Sequence, residues 1–241
     1  MTESADLPVV LVTGATRGIG KAICDALATD HQLIVGGRDR AAVEAACAAY
    51  DHAQPFVVDL ADDDATTAAV DELDLTRLDG LVHSAGVSGG WRTPDSSRAF
   101  WRLMLEINVI AVSDLTRLLL PALIEASGTV VTINSGSGLN ARGAGGHYPA
   151  SKFALTALSD VLREELRPDG VRVCSVHPGR TDTDMQRALV ASEDRPYDPQ
   201  EFLRPESVAT AVRTALTATP DATYETISIR PGPAATNRRS S

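Results

Sequence analysis

The segment LPVVLVTGATRGIG, residues 7–20, decides how the rest of the chain is read. Its first half is short and continuously apolar, the pattern of a strand buried on both faces of a sheet. It runs directly into Gly14-Ala15-Thr16-Arg17-Gly18-Ile19-Gly20, and a helical pattern follows over 18–29. Glycines between a strand and a helix let backbone N–H groups approach an anion, and the helix N-terminus favours its negative charge. The spacing is G-x-x-x-G-x-G, so the general dinucleotide fingerprint G-x-G-x-x-G is not matched. A bare turn would also use glycines. The position after the first strand instead favours a phosphate-binding loop at Gly14, Thr16, Arg17, Gly18, Ile19 and Gly20.

Outward from this segment, apolar runs and helical patterns alternate along 241 residues, which predicts one α/β domain with a parallel sheet covered by helices on both faces. Strands are expected over 7–13, 31–36, 54–58, 78–83, 128–134, 171–176 and 225–229. Helices are expected from Arg40 to about Tyr50 and over 61–73, 97–125, 148–167 and 206–218. The polar, proline-containing stretch 180–204 reads as a substrate loop or lid, since a loop that long in a compact domain is usually functional. Residues 234–241 read as a frayed tail. There is no internal repeat and no linker.

The end of the second strand bears on the cofactor. In an NAD-binding unit an acidic residue near this point takes the ribose 2′-hydroxyl. Here the positions are Gly37 and Arg38. A 2′-phosphate would be repelled by a carboxylate and attracted by a guanidinium, so Arg38, helped by Arg17, points to NADP(H) in preference to NAD(H). Asp59 and Leu60, ending the third strand, are placed to meet an adenine. The small residues Ser84, Ala85 and Gly86, ending the fourth, would let a dinucleotide lie close.

A second segment, SGSGLNARGAGGHYPASK at 135–152, carries the chemistry. Ser135 stands at the carboxyl end of the fifth strand, where ligands bind in open parallel sheets. Tyr148 and Lys152 are four apart at the start of a helix and so share one face. A phenol ionises only near pH 10 unless a positive charge stabilises the phenolate, and a lysine one turn away supplies that charge. The basic residues are almost all arginine and the only lysines are Lys21 and Lys152, so a merely solvated cation at 152 would be expected to be arginine.

The helix over 97–125 is apolar on nearly every face, and the 148–167 helix is apolar around much of its circumference; both predict self-association. Asn108 interrupts the first of these surfaces and should have a hydrogen-bonding task. Trp91, Arg92, Leu139, Met185 and the 189–203 region are expected to shape a substrate pocket. The net charge of -10 opposes nucleic acid and anionic membrane as partners and leaves a small molecule. Three widely spaced cysteines fit reduced thiols. With no signal pattern and no apolar run of bilayer length, a soluble cytoplasmic protein is expected. The five histidines lack metal-ligand spacing; His147 stands beside Tyr148, where it could line the site, but is expected to be exposed.

Thr13 to Gly20, Asp59-Leu60, Ser84-Ala85-Gly86, Asn108, Ser135, Tyr148-x-x-x-Lys152 and Pro178-Gly179 together resemble the short-chain dehydrogenase/reductase family over nearly the whole chain. The resemblance implies a single-domain Rossmann fold with a seven-stranded parallel sheet, an NAD(P)(H) cofactor and a homodimer or homotetramer. It also implies hydride transfer between that cofactor and a small-to-medium carbonyl or secondary alcohol. Within it Tyr148 is the general acid or base, Ser135 holds the substrate oxygen, Lys152 lowers the phenol pKa and binds the nicotinamide ribose, and Asn108 seats a water. Thr183 and the backbone near Thr181, beyond Pro178 and Gly179, would hold the carboxamide. Ser84 replaces the family's usual asparagine, and Ser137 is an additional hydroxyl without an assigned role. A non-catalytic nucleotide sensor is the alternative; such proteins can lose the proton relay, whereas all four residues of it are present here.

Overall fold

Strand β1 (Val9–Val12) shows how the sequence builds the core, because its residues alternate between two apolar layers. Val10 and Val12 face one layer, with Ile23 and Leu27 of helix α1 (Gly18–Leu27) and Val208 and Val212 of α8 (Pro205–Leu216). Leu11 faces the other, with Leu115, Leu119 and Leu123 of α5 (Ala111–Ala126). The computed structural model describes residues 7–89, 92–141 and 145–232. Trp91, expected at the substrate rim, and the 234–241 tail lie outside the described residues.

The remaining strands are β2 (Gln32–Gly37), β3 (Ala53–Val57), β4 (Gly80–His83), β5 (Thr129–Ile133), β6 (Arg172–Pro178) and β7 (Thr226–Ile229). All pair in parallel, in the order β3-β2-β1-β4-β5-β6-β7. This is the expected single-domain Rossmann sheet of seven strands. Successive connections run one way from β1 and the other way from β4, so the loops leaving the carboxyl ends of these two neighbours diverge and open a crevice. The glycine loop and Ser84-Ala85-Gly86 border that crevice. Thr13 ties them together: its hydroxyl oxygen accepts from the N–H groups of Ser84 (3.1 Å) and Ala85 (3.0 Å).

The other helices are α2 (Arg40–Cys47), α3 (Asp63–Leu73), α4 (Arg98–Leu105), α6 (His147–Leu166) and α7 (Asp184–Ser192). Two expectations are corrected here. The 180–204 stretch is not all loop, since it contains α7. Thr183 caps that helix by accepting from the Gln186 N–H at 3.3 Å, and the Thr-x-x-Gln spacing was a start signal visible in the sequence. The long helix Arg98–Ala126 is continuous over 29 residues but changes to π geometry over Glu106–Ile110. By length and composition it could cross a bilayer, contrary to expectation. Here it serves as a core helix, with Met104, Leu115, Leu119 and Leu123 fully covered by the domain.

Candidate active site

The crevice has the close backbone approach that a dinucleotide requires. Gly14 has φ +64°, and a Cβ on it would stand 2.8 Å from the Ala85 Cα; one on Gly20 would stand 2.2 Å from the Gly14 carbonyl oxygen. Side chains at these positions would push the loop off β4 and off its own helix. A Cβ on Gly18 would meet only the Thr183 methyl, at 3.4 Å, so the cap of α7 reaches across to the glycine loop. Thr16 packs over Gly37, its methyl 3.1 Å from where a Cβ there would be. Gly14 thus lies against Ala85, Gly18 against Thr183 and Thr16 against Gly37, which brings the ends of β1, β2 and β4 and the 179–183 segment side by side.

At the end of β2, Arg38 is exposed and its guanidinium has no partner among the described residues. The adjacent carboxylate of Asp39 is engaged as the cap of α2, accepting from the Ala42 N–H at 3.1 Å. Arg17 is not a free helper of Arg38: its Nη1 pairs with Asp184 Oδ2 at 2.8 Å, linking the glycine loop to the start of α7. Asp59 turns its carboxylate to the Ala61 N–H at 3.1 Å, in the loop that also carries half-buried Leu60. Thr181 donates to the Gly179 carbonyl at 3.0 Å, and Gly179 N–H in turn donates to Ile229 O at 2.7 Å. These bonds hold the segment after Pro178 against the end of β7.

The catalytic candidates meet at the ends of β4 and β5. Lys152 is 5 % exposed, and its Nζ donates to the Ile133 carbonyl at 3.0 Å. A Cβ on Gly86 would lie 3.9 Å from that nitrogen and 3.3 Å from Asn108 Oδ1, so Gly86 keeps the space in front of both open. Asn108 has the task expected of it. Its Oδ1 accepts from Val87 N–H (2.9 Å), and its Nδ2 donates to Val87 O (3.0 Å) and Ser151 Oγ (3.0 Å). Asn108 sits within the π segment Glu106–Ile110, where the altered helix geometry accompanies its inward-turned amide.

Ser135 Oγ accepts from the Ser137 N–H at 3.1 Å, which assigns the Ser-Gly-Ser turn a backbone role and leaves the Ser135 hydroxyl hydrogen for the Tyr148 phenol. Burial pushes the Tyr148 phenol pKa above its ordinary 10.0, and hydrogen bonding from Ser135 pulls it partway back. The lowering expected from Lys152 is absent because the ammonium is aimed at Ile133 O, 5.8 Å from the phenol ring centroid. Burial also brings the lysine itself from 10.5 down to about 8.

Three residues of this region were not singled out from sequence or were misread. Asn134 Oδ1 accepts from the Ser135 N–H at 2.9 Å. His177, 1 % exposed, contacts the Ser135 carbonyl through Nδ1 at 3.0 Å. His147 is buried, not exposed as expected. Its ring bonds Ser96 Oγ (3.1 Å) and the Gly89 carbonyl, and stands edge-on to Phe100 with centroids 4.9 Å apart. It thereby ties the loop after β4 to the first turn of α6. His147 stands next to Tyr148 in the chain, but nothing in a one-dimensional pattern distinguishes a clamped imidazole from a solvated one.

Comparison with known proteins agrees with this geometry. The short chain dehydrogenase family model matches residues 8–194. A short-chain type dehydrogenase/reductase of Sinorhizobium fredii is 34 % identical over 214 residues, covering 86 % of this chain and 85 % of the relative. A serine 3-dehydrogenase of Agrobacterium fabrum is 32 % identical over 180 residues, covering 73 % and 72 % of the two chains. Among solved structures, an alcohol dehydrogenase from Thermococcus sibiricus complexed with 5-hydroxy-NADP superposes with a TM-score of 0.84 at 26 % identity, over 94 % of this chain and 97 % of that one.

Proposed function

The chain belongs to the short chain dehydrogenase family, and from that premise we propose that it moves hydride between NADP(H) and a small-to-medium carbonyl or secondary alcohol through Ser135, Tyr148 and Lys152. Membership makes it an oxidoreductase of alcohol or ketone groups that uses a nicotinamide dinucleotide. What supports the finer reading is one convergence: a phenol, the serine hydroxyl bonded to it and a buried ammonium meet at the carboxyl ends of β4 and β5. The glycine-lined crevice adjoins them.

The nicotinamide supplies or accepts the hydride. Tyr148 gives a proton to the substrate oxygen in reduction and takes it back in oxidation. Ser135 turns its hydrogen from the phenol to the same oxygen and stabilises the charge that develops there. Lys152 spends one N–H on Ile133 O and keeps two for the ribose hydroxyls. Asn108, by clamping Val87, holds the loop that walls the crevice beyond Gly86; a water on its amide would extend the proton path. Gly14 to Gly20 would take the pyrophosphate, and Thr181 and Thr183 the carboxamide. Arg38, without a partner among the described residues and beside an Asp39 already engaged as a cap, favours a 2′-phosphate over a 2′-hydroxyl.

Leu103, Leu105 and Ile110 on the long helix and Phe153 and Val161 on α6 are 36–52 % exposed, apolar surface that a second copy of the chain would cover. Cys24 and Cys174, buried as free thiols, suit the cytoplasm as the compartment. The test is Tyr148→Phe with a carbonyl panel and NADPH absorbance as readout. Turnover should fall by about 10²–10⁴-fold, with the NADPH dissociation constant little changed. Near-normal turnover would refute the assignment.

A further inference from the structure

We propose that His177 is a positioning residue for Ser135: its neutral imidazole, protonated on Nδ1, holds the Ser135 carbonyl and so aims the serine hydroxyl at the substrate oxygen. This inference rests on the role assigned to Ser135 above.

Counting hydrogens along the network settles the tautomer. A carbonyl can only accept, so the Nδ1 that lies 3.0 Å from Ser135 O carries a hydrogen. On the other side, Nε2 is 2.9 Å from Ser175 Oγ. That hydroxyl accepts from Asn134 Nδ2 at 3.5 Å. Thr132 gives its hydrogen to Ser159 Oγ at 3.0 Å, since Ser159 donates to Leu155 O. The Ser175 hydrogen therefore goes to its nearer acceptor, a bare Nε2, in preference to Thr132 Oγ1 at 3.3 Å. An imidazolium would set two donors against each other at Nε2. Ser135 is thus held at its N–H by Asn134 (2.9 Å), at its carbonyl by His177 and by Gly138 N–H (both 3.0 Å), and at Oγ by Ser137 N–H (3.1 Å). With three atoms fixed, the remaining freedom is the direction of the O–H.

The surroundings keep the ring neutral. Burial lowers the His177 pKa most; the bond to Ser135 raises it, the Arg230 and Lys152 charges lower it further, and Asp160 opposes them. Arg230 also fixes the ring's own backbone, donating from Nη1 to the His177 carbonyl at 2.6 Å.

Two measurements on the full-length chain test this. Long-range ¹⁵N–¹H correlation at neutral pH should show His177 protonated on Nδ1 and bare on Nε2; the opposite tautomer or an imidazolium overturns the proposal without reference to turnover. In kinetics, His177→Leu should lose about 10- to 100-fold in kcat, with KM and the NADPH dissociation constant within about threefold of wild type. His177→Asn, whose side-chain N–H can replace Nδ1–H, should recover most of the loss. Wild-type kcat in the leucine variant, or an asparagine variant no better than it, overturns the role; should His177→Leu not fold, the asparagine variant and the tautomer decide. Ser135→Ala separates the two readings. Its retention of turnover removes the role of Ser135 and that of His177 with it, whereas an inactive Ser135→Ala beside an unimpaired His177→Leu removes His177 alone.

Discussion

Replacing Lys152 by methionine should abolish turnover and yet stabilise the free protein. The lysine is 5 % exposed, and burial brings its pKa from 10.5 to about 8. At about 1.36 kcal/mol per pKa unit, holding the charged form in the fold at neutral pH costs about 3 kcal/mol. Methionine has nearly the same length and no charge to desolvate, but it orphans the Ile133 carbonyl that now accepts from Nζ at 3.0 Å. That loss is worth about 1–2 kcal/mol, so the net gain is about 1–2 kcal/mol, or about 2–8 °C in Tm for a chain of this size. The pH dependence carries the sharper test. Between pH 8 and 10.5 the unfolded chain holds more protons at this residue than the folded one, so wild-type stability rises with pH across that window. The advantage of the variant should be greatest below pH 8 and vanish or reverse by pH 10.5, as the neutral amine of the wild type still bonds Ile133 O. Scanning calorimetry of both proteins without dinucleotide, at pH 7 and pH 10.5, measures it. A variant less stable than wild type at pH 7, or a difference independent of pH, would refute the reasoning.

Arg38→Asp should weaken NADPH binding by about 10- to 100-fold, the worth of a hydrogen bond to a charged group, and leave NADH binding nearly unchanged; fluorescence titration of each dinucleotide checks it, and equal affinities in the wild type would remove the NADP(H) assignment. Asn108→Leu strips Val87 N–H and Val87 O of the amide and removes one donor from Ser151 Oγ, which keeps its own bond to Tyr148 O. It should cost about 2–4 kcal/mol in urea unfolding, and a change below about 0.5 kcal/mol would show that the clamp carries no stability. Ile110→Asp combined with Val161→Asp, at positions each 52 % exposed, should convert an oligomer to a monomer by light scattering. A wild-type protein already monomeric at micromolar concentration would dispose of the covering copy.

The parts of the fold that were legible in the sequence are those with a local cause. Apolar runs mark the central strands β1, β4 and β5, because a strand buried on both faces needs few polar positions, whereas the edge strands β3 and β7 carry polar residues and are only partly buried. Tyr148 and Lys152 were legible together because helical geometry alone puts residues four apart on one face. Helix α7 carries its own start signal in Thr183 and Gln186, set in a polar composition that otherwise reads as loop.

What local pattern could not convey is how these groups are aimed. The partner of Arg17 is Asp184, 167 residues away, and the imidazole against the Ser135 carbonyl comes from 42 residues further along. The Tyr148–Lys152 spacing predicted a phenol made more acidic by its neighbour, but the ammonium bonds the Ile133 carbonyl, and burial moves the phenol pKa the other way. Sequence by itself determined which chemical groups this protein possesses and on which strand ends they stand, since those follow from short-range periodicity. Only the tertiary structure decided their desolvation and hydrogen-bond direction, because both depend on atoms brought together by the closing of the sheet and its two covering layers.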